Sequence, residues 1–180
     1  MSRERAGPFD ALVAIAWSRI WSPVVPHDSF VAAWRALELP GDTTLRDNLF
    51  CSTFHAGFPA PQVPLLLHAA LNLPGDHVRI DMLRAMAHLG LKAGAKMLPP
   101  DHLAVACEVT ACALKAGEPV MVAELRDSYL VPWGAHAEAC LAEADGDLRE
   151  IVRRFGAFAQ ALDSTAPVAD GPVQMIGMYQ

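Results

Sequence analysis

Nowhere in this chain do lysines and arginines run together, and the 14 basic residues are outnumbered by 20 acidic ones, for a net charge of −6. Nothing here neutralises successive phosphates, so nucleic-acid binding is disfavoured. Long apolar runs are missing too. Although 53% of residues are hydrophobic, no stretch approaches the ~20 residues that cross a bilayer, which speaks against membrane insertion. Cysteine pairing is equally absent: Cys51, Cys107, Cys112 and Cys140 are scattered without CxxC spacing. They sit in helical-looking segments, which fits reduced core thiols better than a disulfide framework. At the N-terminus, Asp10 and Arg19 flank a short apolar stretch with no small-residue cleavage pattern after it, and a cytoplasmic protein is expected. Finally, no run alternates apolar with polar residues for long enough to suggest a strand.

What is present is helical spacing almost throughout. The pattern predicts an all-α protein, a single compact bundle of eight or nine helices over residues 1–163, followed by a non-helical tail over 164–180. A first helix should follow Pro8 and carry Phe9, Leu12, Val13, Ala16, Trp17 and Ile20 on one stripe, ending before Pro23. A second holds Phe30, Ala33, Trp34 and Leu37 and stops at Pro40-Gly41; a third runs from near Asp42 through Leu45, Leu49 and Phe50. Pro59, Pro61 and Pro64 then keep residues 57–64 extended, the best hinge candidate. After a short helix over 65–71, Asp76 can cap the next, whose stripe is Ile80, Leu83, Ala87 and Leu91. The following helix is expected from Asp101 to about Lys115, with Gly117 as terminator. Further helices should run from Val120 to about Tyr129, from Pro132 to about Ala144 and from Asp147 to Leu162. The tail keeps Val173, Met175, Ile176, Met178 and Tyr179, and reads either as a loosely held terminus or as an apolar segment for a groove on its own or a neighbouring copy.

Several residue groups invite a chemical reading beside a plain one. Asp101 and Glu108 are seven residues apart, two helical turns, so on one helix both carboxylates share a face about 10 Å apart, with Lys115 continuing the row. That row is a solvated acidic edge or a cation-reading site. His102 lacks a local nucleophile and orienting partner, which argues against catalysis. A helical metal-binding protein or enzyme using His102 with Glu108 or Cys107 stays as an alternative, as does a dimeric scaffold. Cys51 and His55 are spaced i,i+4, but two ligands without a third and fourth make a weak metal site. Trp17, Trp21 and Trp34 read as core, whereas Trp133, directly after Pro132 at a helix start, can equally wall a groove.

Three motifs carry a resemblance. Pro100-Asp101-His102-Leu103 with Glu108 downstream, His88-Leu89-Gly90-Leu91 before it, and Tyr129-Leu130-Val131-Pro132-Trp133 after it together resemble the signature of the TorD/DmsD/NarJ family of molybdoenzyme assembly chaperones. The resemblance covers roughly residues 76 to 160. Many members carry Glu-Leu where this chain has Ala106-Cys107, and Tyr129 stands where the family usually has His. The phrase Phe58-Pro59-Ala60-Pro61-Gln62-Val63-Pro64 looks most like the chaperones of type II dimethyl-sulfoxide-reductase enzymes.

The resemblance implies an all-helical, non-enzymatic chaperone with no cofactor of its own. Its partner would be the apo catalytic subunit of a molybdopterin oxidoreductase, held through a twin-arginine signal or N-terminal segment until cofactor insertion; a homodimer is possible. Such a segment has a basic head and an apolar body. Pro100, Asp101, His102, Glu108, Pro132 and Trp133 are then the expected signal-peptide contacts, Asp101, His102 and Glu108 as polar groups and Pro100, Pro132 and Trp133 as shapers of the groove.

Overall fold

The structure, a computed structural model, describes residues 8–43, 49–91, 98–143 and 146–162. Its eight α-helices are α1 (Pro8–Trp21), α2 (His27–Ala36), α3 (Leu67–Leu71), α4 (Gly75–His88), α5 (Leu103–Ala116), α6 (Pro119–Leu125), α7 (Val131–Cys140) and α8 (Gly146–Ala161). Two π-helical turns, Cys51–His55 and Arg126–Leu130, complete the set. Among the described residues the only β pairing is an isolated antiparallel bridge between Leu66 and His102. The all-α expectation therefore holds. The tail over 164–180 lies outside the described residues.

Helix α5 is the axis of the bundle. Leu103 to Cys107, Val109 to Ala111 and Ala113 are all buried, so it is enclosed on nearly every side and not along one stripe. Its most extensive partner is α1. Both helices are rich in alanine where they bury surface, with Ala11, Ala14 and Ala16 on α1 and Ala104, Ala106, Ala111 and Ala113 on α5. Small side chains let two backbones approach closely, and the remaining volume is filled by large rings. Trp21 is the hub of those rings: Trp17 stacks on it at 5.6 Å, while Trp133 at 5.1 Å and Phe155 at 5.5 Å meet it edge-on. Each such pair contributes about 0.5–1.5 kcal/mol beyond the area it buries.

Two expected stripes are rotated. On α1, Phe9 and Leu12 face solvent while Ala11, Ala14 and Trp21 face inward. On α4, Val78, Met82 and Met86 are the buried set, and Ile80 and Leu83 are about half exposed. Both helices carry apolar residues on two faces, and contact with α5 selects between them. Asp76 does not cap α4: Pro74 occupies the cap position, leaving Asp76 in the first turn.

The C-terminal half runs with fewer breaks than the prolines suggest. Helix α6 passes through the π-helical turn into α7 with helical backbone at Leu125 and Leu130, and Pro132 is the second residue of α7. Proline is tolerated there because a first-turn amide has no intrahelical acceptor to lose. The proline-rich segment over 57–64 is fastened at its far end, where Val63 N–H donates to the Thr53 carbonyl and Gln62 Nε2 to the Cys140 carbonyl, both at 2.9 Å.

Candidate functional site

The Pro-Asp-His-Leu segment lies beside residues 65–67 as a short antiparallel pair. Leu67 N–H donates to the Asp101 carbonyl, and Leu103 N–H to the Leu65 carbonyl, each at 2.8 Å. Because Asp101 belongs to this pair, the helix starts two residues later, and the expected carboxylate row with Glu108 is not formed. Asp101 turns inward. Its side chain has no exposed surface, Oδ1 accepts from Arg79 Nε at 3.1 Å, and Oδ2 is bonded to His68 Nδ1. A buried carboxylate needs such partners, since leaving the charge unpaired costs several kcal/mol.

His102 takes the capping role that the sequence suggested for Asp101. Its Nδ1 accepts the Ala104 N–H at 3.1 Å, satisfying one of the orphan donors at the start of α5. Burial, helped by His55 nearby and opposed by Asp101, lowers its pKa to about 4. The ring is neutral at ordinary pH and already occupied, which removes it as a general base. Cys107 is fully enclosed, and burial pushes its thiol far up. The alternative that paired these two for catalysis therefore lacks a reactive atom at the surface. Among the described residues no three His, Cys, Asp or Glu side chains gather to hold a metal.

The other expected contacts disperse. Trp133 has no exposed surface; its indole N–H donates to the Pro64 carbonyl at 2.9 Å and its ring packs on Trp21 and Phe155. Its place is the core, not a groove wall. Pro100 and Pro132 are partly covered. Glu108 is half-buried beside a small groove of about 80 Å³ between α1 and α5, next to Arg19, Ala104 and Val105. So Asp101, Glu108 and Trp133 do not converge on one cleft.

A larger slot of about 570 Å³ opens elsewhere. One wall is α4, through Asp81, Arg84, Ala85 and His88; the other is α6 and the π-helical turn, through Met121, Glu124, Leu125, Ser128 and Tyr129. Each wall presents residues at i, i+3, i+4 and i+7, one helix face over about two turns. The walls run antiparallel, because Tyr129 Oη donates to Asp81 Oδ2 at 2.9 Å at one end and His88 Nε2 meets Glu118 Oε1 at 3.3 Å at the other. Burial and the Asp81 carboxylate together hold the Tyr129 hydroxyl well above its usual range, so it remains a donor.

None of the six expected contacts lines this slot, yet a signal for it was in the sequence. His88 and Tyr129 open the two outer motifs, and both face it. Asp81, Glu124 and Met121 belong to no motif and were missed. The central motif instead supports one wall, since Arg79, held by Asp101, lies two residues before Asp81 on α4.

No protein-family model matches the chain, and no curated protein matches it in sequence. In fold it is similar to a crystal structure from Archaeoglobus fulgidus, of a protein provisionally assigned as a redox enzyme maturation protein. The TM-score is 0.62 at 16% identity, over 89% of this chain and 97% of that one. At that identity the likeness is one of fold. No described helix is long and apolar enough to cross a membrane.

Proposed function

We propose that this protein is an assembly chaperone that receives the twin-arginine signal or N-terminal segment of a molybdopterin oxidoreductase's catalytic subunit. It holds that subunit for cofactor insertion and catalyses no reaction. The observation that carries this is the slot: the first residues of two separate motifs of the TorD/DmsD/NarJ resemblance, His88 and Tyr129, face each other's walls around it. The fold shared with a protein assigned to redox enzyme maturation supports the same reading.

The lining suits a segment with a basic head and an apolar body. Asp81 and Glu124 supply carboxylates, and Ala85, Met121 and Leu125 supply apolar surface. The volume falls in the range of ordinary ligand clefts. Exposed ion pairs contribute only ~0–1 kcal/mol each, whereas burying one Leu or Phe side chain contributes ~1.5–3 kcal/mol. Apolar contact therefore supplies most of the affinity and the acids set the register. Pro100, Asp101, His102, Pro132 and Trp133 serve binding indirectly, by fixing the elements that carry the walls, and Glu108 lies apart.

Calorimetric titration with the leader peptide of a molybdopterin oxidoreductase tests this. Binding by the wild type, weakened about tenfold or more by Met121→Glu and a few-fold by Glu124→Gln, is the expected result. Unchanged affinity in both variants would remove the slot as the site, and absence of binding to leader peptides would remove the function.

A further inference from the structure

The two bonds that cross the slot are unequal. At one end the Tyr129 ring is only 8% exposed, and the Asp81 carboxylate it reaches also meets His77 at 3.3 Å and Arg84 at 3.7 Å. A buried phenol cannot swing aside without disturbing the core. At the other end His88 and Glu118 have side chains 58% and 41% exposed and share one bond of 3.3 Å. Both can rotate into water with no change in packing.

The backbones behind that loose end are held. Leu89 N–H and Leu91 N–H close the end of α4 on the Ala85 and Met86 carbonyls, and Glu118 N–H donates to the Ala113 carbonyl at 3.0 Å. Opening therefore involves two side chains and leaves the helices in place. Met121, one turn after Glu118 on α6, lies directly behind the pair as part of the slot lining.

We propose that His88 and Glu118 form a side-chain gate over the slot, closed in the free protein, through which a ligand enters toward a fixed end at Tyr129 and Asp81. This deepens the leader-binding reading and rests on it for the identity of the ligand, although the gate itself is a property of the empty slot. An exposed pair of this kind contributes ~0–1 kcal/mol, so removing it changes the open fraction by up to about fivefold.

The test uses the full chain and a bulky maleimide. A cysteine placed by Met121→Cys is labelled in three backgrounds, His88 unchanged, His88→Gln and His88→Arg, with site-resolved mass spectrometry separating it from the native thiols. The gate predicts fastest labelling in the Gln background and slowest in the Arg background, whose fixed cation holds Glu118 more firmly. A control cysteine from Val120→Cys, at an outward position that is 70% exposed, should label at one rate in all three. Equal rates at position 121 overturn the gate whether or not any peptide binds. Graded rates at 121 in a protein that ignores leader peptides would keep the gate and defeat only the leader reading.

Discussion

Arg79 reaches across from α4 to place its Nε 3.1 Å from Oδ1 of Asp101, a carboxylate with no exposed surface of its own. The pair is lopsided, because Arg79 is 44% exposed. Removing the cation leaves an enclosed charge with His68 alone, while removing the acid leaves an arginine that can turn to water. We therefore expect Arg79→Ala to cost about 3 kcal/mol and Asp101→Ala about 1–2 kcal/mol. Urea unfolding at pH 7 measures both, and an Asp101→Ala variant that proves the costlier would contradict the arrangement.

His102 makes stability depend on pH. Its folded pKa, about 4, lies below the model value of 6.5, so between those values the unfolded chain binds the extra proton. The stabilisation is complete above about pH 6.5 and is lost progressively as pH falls toward 4, an effect on the order of 3 kcal/mol. His102→Asn keeps a good capping acceptor and removes the titration. Unfolding free energies at pH 7 and pH 4.5 should thus fall less in the variant than in the wild type. Parallel losses would show that His102 is not the titrating group.

These two residues also mark how far the sequence could be read. Helix number and most boundaries were legible because prolines and glycines interrupt a clear helical period, with Gly117 ending α5 in a left-handed turn (φ +70°) as expected. Facing was less legible: α1 and α4 bear apolar groups on two sides, and which side packs depends on a partner helix distant in sequence. The central motif was legible as a helix start but not in its roles. Asp101 and His102 differ by one position, and the bridge to Leu66 decides which of them caps the helix and which turns inward. The slot could not be read from periodicity, since its walls come from segments about forty residues apart.

Helices α7 and α8 approach closely at two glycines. A Cβ on Gly134 would lie 3.3 Å from Gly156 Cα, a backbone atom, whereas one on Gly156 would meet only the Glu138 carboxylate end at 3.0 Å. The exposed Glu138 side chain can move and the backbone cannot. Gly156→Ala should be neutral or stabilising by up to about 1 kcal/mol through helix propensity, while Gly134→Val should destabilise by about 1–3 kcal/mol through overpacking. Thermal unfolding of the two variants checks the order, and a tolerated Gly134→Val would mean that the helices can separate at little cost.

Trp133 distinguishes a core role from a contact with ligand. Its ring is enclosed among Trp21 and Phe155, and its N–H is paired with the Pro64 carbonyl, which ties α7 to the segment leading into α3. Trp133→Phe keeps most of the apolar volume but leaves that carbonyl without its donor, at a cost of about 1–3 kcal/mol; Trp133→Ala adds a cavity and should cost about 3–5 kcal/mol. Because the ring does not line the slot, the Phe variant, while folded, should bind a leader peptide within about twofold of wild-type affinity. A tenfold loss of affinity in a Trp133→Phe protein that still unfolds cooperatively would return Trp133 to the ligand surface and move the site away from the α4 and α6 walls.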